Sequence, residues 1–161
     1  MAVWGVPDEG PDDVQNAVFA CLAMREQLRL LNERRCKRGD RPLYIGMGLN
    51  FGEVTAGGVG ATERMEYTVV GDAVNLASRI EGMTKQFGVD LLVERSVFQA
   101  VEADFCMNSC GKVSVKGKEE AVELFRVRGY YDLRNNPVIL ETPYSSLAAK
   151  EESPERLLQA G

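Results

Sequence analysis

The chain has 161 residues, 45% hydrophobic and 27% charged, a balance that suits one globular domain with enough chain to bury a core. A net charge of −5 and a pI near 4.9 exclude a nucleic-acid partner gripped by a broad basic face, so an anionic ligand must be met by local cations. Histidine is absent, which removes Ser-His-Asp triads, imidazole bases and the usual zinc sites together.

In chain order, "MAVWGVPDEGPDD" opens with a short apolar run and then turn residues, and Pro11 followed by Asp12 and Asp13 is good helix-start chemistry. The helix that follows has an expected apolar stripe of Val14, Val18, Cys21, Met24, Leu28 and Leu31, with Arg25, Glu26 and Arg29 elsewhere, and it stops at Gly39. Residues 43–49 and 53–59 read as two strands of one hairpin turning near Gly52, dense in glycine where backbones approach each other or a ligand closely. A strand at 66–70 feeds a helix from Asp72 to about Phe87, whose core stripe is Ala73, Leu76, Ala77, Ile80 and Met83. "VDLLVE" at 89–94 is a buried strand, "RSVFQAV" a short helix, and residues 111–131 a closing hairpin. The mixed order implies an α+β fold. From Asp132 the chain is polar and punctuated by proline, and "AAKEESPERLLQ" suits a short exposed helix or a disordered tail. The expected division is residues 1–130 as the folded domain and residues 131–161 as a polar, flexible extension.

No run of apolar residues is long enough to span a bilayer and no basic-then-apolar leader opens the chain, so a cytoplasmic segment without membrane contact is expected. Cys21, Cys36, Cys106 and Cys110 lack paired zinc spacing and are expected as reduced structural thiols.

The chemistry concentrates in "EYTVVGDAVNLASRIEG", residues 66–82, where Asn75 and Arg79 stand one helical turn apart and off the apolar stripe. Taken alone they are an ordinary solvated pair. An arginine fork beside an amide nevertheless suits phosphate and sugar oxygens bound across a helix. Asp72 borders the same stretch, but an acid in a first helical turn is favoured by the macrodipole without any metal.

Taken in order, "IGMGLNFGEVTAGGVG", "YTVVGDAVNLASRIE" and "VSVKGK" make the chain resemble the class III nucleotidyl cyclases, the adenylate and guanylate cyclase catalytic domains, over about residues 1–130. The resemblance implies a ferredoxin-like mixed sheet with flanking helices, dimerised head to tail so that a second cyclase domain, in a homodimer, completes each site. It places Thr68 at the purine-reading position, with Val69 beside it in the nucleotide site. A threonine hydroxyl can accept from the exocyclic amine of adenine, which implies ATP as substrate. It makes Asn75 the ribose-orienting residue and Arg79 the group that stabilises charge developing at the α-phosphate. Lys116, with Lys118 as second candidate, takes the terminal phosphates, and Arg64 is a further nucleotide contact.

The family pattern starts earlier than "MAVWG", with a first strand and helix and two metal-binding aspartates. The resemblance therefore implies an N-terminally truncated domain. The ligands for Mg2+ or Mn2+ would then lie upstream of Met1, with no metal ligand in this chain, and sensor or membrane-tethering segments could precede them. The expected function is an adenylate cyclase catalytic fragment, making 3′,5′-cyclic AMP and pyrophosphate in the intact parent and inactive alone. The alternative is a non-catalytic cyclase-like module for nucleotide binding or dimerisation.

Overall fold

The computed structural model describes residues 1–61, 64–115 and 120–147, apart from the side chains of residues 59–67. Its elements are α1 (Asp13–Lys37), β1 (Met47–Leu49), β2 (Thr55–Ala61), β3 (Arg64–Val70), α2 (Asp72–Phe87), β4 (Leu91–Glu94), α3 (Arg95–Val101), β5 (Phe105–Val113), β6 (Val122–Tyr131) and β7 (Pro137–Ile139). The main sheet runs β1-β4-β6-β5, with β1 and β4 parallel and the remaining pairs antiparallel, so the expected α+β class and mixed sheet are observed.

Alternation along β4 and β6 separates two cores. Leu91, Val93, Phe125 and Val127 face α1 and α3, while Leu92, Val122 and Leu124 face α2. On the first face, Val18, Cys21 and Leu22 of α1 and Val97 and Val101 of α3 fill the space, and Phe98 stacks on Phe125 with ring centroids 4.0 Å apart.

The expected α1 stripe needs correction. Met24 and Leu31 are exposed, and the buried series runs Val18, Cys21, Leu22, Arg25, Leu28, Asn32. At 3.6 residues per turn Met24 and Leu31 fall roughly a quarter-turn off that series, whereas Arg25 lies within it. Arg25 is tolerated there because Asp90 receives it: Nε and Nη2 each donate to one carboxylate oxygen at 2.7 Å, and Nη2 also donates to the Val127 carbonyl at 2.9 Å. Asn32 is similarly satisfied, exchanging hydrogen bonds with the main chain of Leu43.

The expected hairpin of residues 43–49 with 53–59 is not formed. Instead β1 lies parallel to β4, and β2 pairs antiparallel with β3 as a separate two-stranded ribbon. The reason is on the second face. A Cβ at Gly46 would stand 2.3 Å from Thr84 Oγ1, and one at Gly48 would stand 2.2 Å from the Glu81 nitrogen and 2.7 Å from the Ala77 oxygen. These glycines let α2 lie against the β1 backbone, and the contact fixes β1 beside β4 rather than beside β2.

Helix α2 spans the expected residues and ends at Gly88, whose φ of +65° is the left-handed conformation of a helix stop. Strand β4 and helix α3 fall where expected, and Glu94 caps α3 by accepting from the Ser96 amide at 2.6 Å. Strand β5 begins at Phe105, earlier than the hairpin expected from residue 111. After β6, β7 pairs with residues 129–131 of β6 on the side that β4 occupies farther along, and residues 140–147 continue back to the start of β4. The "AAKEESPERLLQ" stretch lies outside the described residues. The four cysteines are free thiols, and burial pushes the Cys21 thiol up to about 11.

Candidate active site

Helix α2 turns Leu76, Ile80 and Thr84 into the core, which leaves Asn75 and Arg79 together on its exposed side. The N-terminal end of α2 is fixed by the loop after β1, where Asn50 Nδ2 donates to the Ala73 carbonyl at 3.2 Å. Phe51 is held in turn by Ser96, whose hydroxyl donates to the Phe51 carbonyl at 3.0 Å. Neither Asn50 nor Ser96 was among the sequence candidates. Asn50 stands beside a glycine-containing turn and Ser96 in the first turn of a short helix, and neither position marks its residue out in the sequence.

Four residues before α2, Thr68 is half-buried on β3, directly opposite Gly57 of β2. Gly57 has nothing within 4 Å of where a Cβ would be, so the ribbon surface beside Thr68 is uncovered. The Val69 side chain is buried, which leaves its main chain as the part within reach of a ligand. Arg64 begins β3, but its side chain lies outside the described residues, as do Lys116 and Lys118. Asp72 is exposed in the first turn of α2, consistent with a helix-start role.

A cleft of about 920 Å³ lies elsewhere. It runs between residues 1–7, the start of α1, the loop after β1, and the Ala73, Val74 and Ala77 side of α2. Asn75, Arg79 and Thr68 do not line it. Among the described residues its walls carry Glu9, Asp12, Asp13, Glu53 and Asp104 and no lysine or arginine side chain, so a triphosphate would meet like charge there.

A family model for the adenylate and guanylate cyclase catalytic domain matches residues 1–129. The chain belongs to this family. An adenylate cyclase of Anabaena cylindrica is 38% identical over 134 residues, covering 79% of this chain and 26% of its own length. The crystal structure of the guanylyl cyclase Cya2 superposes with a TM-score of 0.74 at 30% identity, covering 86% of this chain and 68% of that one. The guanylate cyclase domain of RhGC from Catenaria anguillulae, solved with GTP, gives a TM-score of 0.63 at 26% identity, covering 77% and 64%. The chain spans about a quarter or less of the length of the curated relatives it matches.

Cyclase catalytic domains use divalent metal ions generally. Among the described residues no three Asp, Glu or Cys side chains converge as ligands, so the residues on view do not fit a metal centre even though five carboxylates border the cleft. No helix of the described residues is long and apolar enough to cross a membrane.

Proposed function

We propose that this cyclase chain serves an adenylate cyclase, with residues 1–130 as part of the catalytic domain and residues 131–161 as an extension. In the intact protein the 3′-hydroxyl oxygen of ATP bonds to the α-phosphorus as the bond to the leaving pyrophosphate breaks, giving 3′,5′-cyclic AMP. Arg79 offers its guanidinium to the charge that grows on the α-phosphate oxygens. Asn75, on the same exposed stripe, orients the ribose. The Thr68 hydroxyl accepts from the adenine amine, with the Val69 main chain beside it, and Lys116 and Arg64 meet the outer phosphates. Mg2+ or Mn2+ is held by groups outside the described residues, and a second cyclase domain of a homodimer closes the site. The observation that carries this reading is the exposed Asn75–Arg79 stripe, reached from β3 through Gly71, with the uncovered Thr68–Gly57 pair leading into it. A scaffold or dimerisation module has no physical need for that set.

The test is complementation. A cyclase domain whose counterparts of Asn75 and Arg79 are alanine is mixed with this chain, and cyclic AMP is measured with Mn2+ and ATP. Activity is expected in the mixture and not from either protein alone. Arg79→Ala in this chain should abolish the gain mainly through kcat, because the contact strengthens as charge develops in the transition state. A silent mixture with demonstrated heterodimer would refute the roles given to Asn75 and Arg79.

A further inference from the structure

The junction between α2 and β4, residues 88–90, is tied by a segment beyond the family match. The Gly88 carbonyl accepts from the Leu147 amide at 3.0 Å, Val89 bridges Ser146, and the Asp90 amide donates to the Ser145 carbonyl at 3.1 Å. Asp90 is 3% exposed, so without this segment its N–H would be buried and unpaired. Tyr144 and Leu147 are themselves buried, and Tyr144 meets Tyr44 edge to face with ring centroids 5.9 Å apart. Upstream the segment is anchored by β7 on β6, and Glu141 pairs with Arg126 and Arg128. Gly129 is required for that anchor, because a Cβ there would stand 1.9 Å from the Val138 carbonyl oxygen.

We propose that residues 137–147 form a strap that positions α2, and through it Asn75 and Arg79, for nucleotide. The inference rests on the nucleotide-site reading above. Helix α2 is held at its first turn by Asn50 and along its inner side by Gly46 and Gly48, and the strap supplies the hold at its C-terminal end. Ser145 and Leu147 are positioning residues: they act on the helix stop, at a distance of two to three turns from Arg79.

The experiment uses the full chain, with two readouts: hydrogen exchange, and binding of N-methylanthraniloyl-ATP with Mn2+ followed by fluorescence. Gly129→Ala expels β7 without touching α2, Leu147→Pro removes the N–H that meets Gly88, and Leu147→Met keeps both that N–H and the volume. Gly129→Ala and Leu147→Pro should speed exchange at Val89 and Asp90, leave the Leu92 and Leu124 amides protected, and weaken the labelled nucleotide about fivefold, the effect of one or two lost hydrogen bonds. Leu147→Met should behave as wild type. Unchanged exchange at residues 89–90, or fast exchange with unchanged affinity, would overturn the strap while leaving the nucleotide site intact. Equal effects of Leu147→Met and Leu147→Pro would overturn the role of the amide. A wild-type chain that does not bind the probe at all would overturn the nucleotide site and the strap's role with it. If both disruptive variants unfold, Glu141→Ala gives the same two readouts from the half-buried anchor, and no change in either overturns the proposal.

Discussion

The two faces of the sheet are built by different means. Under α1 and α3 the contact is side chain on side chain, large and closed, and it encloses an ion pair between Arg25 and Asp90 whose side chains are 2% and 5% exposed. Under α2 the helix comes down onto the bare backbone at Gly46, just before β1, and at Gly48 within it, and its outer side is left to Asn75 and Arg79. The first face holds the fold together without presenting chemistry. The second keeps α2 close to the sheet, which limits how far its exposed side chains can drift.

The largest effect should come from breaking the first face. Asp90→Ala leaves the Arg25 guanidinium buried with no counter-charge, at a cost of about 3–5 kcal/mol, the range for stranding one member of a buried pair. Urea unfolding monitored by circular dichroism measures it. The double variant Arg25→Met/Asp90→Leu should recover most of the loss, since apolar replacements of similar volume remove the stranded charge. If the double variant is as unstable as Asp90→Ala, the pair is not what holds that face.

The intermediate effect belongs to the second face. In Gly48→Ala the new methyl meets the backbone of Ala77 and Glu81, which cannot rotate away, so α2 must lift. Overpacking of this kind costs about 1–3 kcal/mol. Because Arg79 lies between the two residues that are pushed, the loss of labelled-nucleotide affinity should exceed what partial unfolding explains. A stability loss with affinity unchanged in the folded fraction would mean that the glycine contact shapes the fold and not the site.

The difference between the faces also explains what could be read from the sequence. Helix α2 was legible to its bounds because its signals are local: an acid at its start, a 3.6-residue apolar stripe, and a glycine stop. The Asn75–Arg79 stripe follows from the same period, and its chemistry came from the family resemblance. The partner of β1 was not legible. The glycines that mark close approach say nothing about which element approaches, and here it is a helix rather than the next strand. Arg25 was misplaced for a related reason. A charged residue reads as solvent-facing unless its partner is known, and Asp90 lies 65 residues away. The strap was hidden because its work is done by main-chain atoms of Ser145 and Leu147, which leave no trace in residue type.

The smallest effect concerns the place where the two faces meet. Asp90 takes Arg25 from the first face with its carboxylate and the strap with its amide, two residues past the helix stop of the second face, and the strap's own ion pair is Glu141 with Arg126 and Arg128. Partial burial of Glu141 would raise its pKa, but the hydrogen bonds from Arg128 and Arg126 outweigh that and hold the carboxyl below its ordinary value of 4.5. A carboxylate depressed in the folded state adds stability above its ordinary value, and that contribution is lost as pH falls from about 4.5 through the folded value. Both arginine side chains are 39% exposed, so solvent screening limits the contribution to about 1 kcal/mol or less. The unfolding free energies of wild type and Glu141→Gln should therefore differ modestly at pH 7 and converge as pH drops below about 4.5. In the same range, exchange at the Leu140 amide, which donates to the Arg128 carbonyl at 2.9 Å, should quicken in wild type relative to the Glu141→Gln variant. A gap between the two proteins that stays constant down to pH 3 would show that Glu141 holds the strap by packing and not by charge.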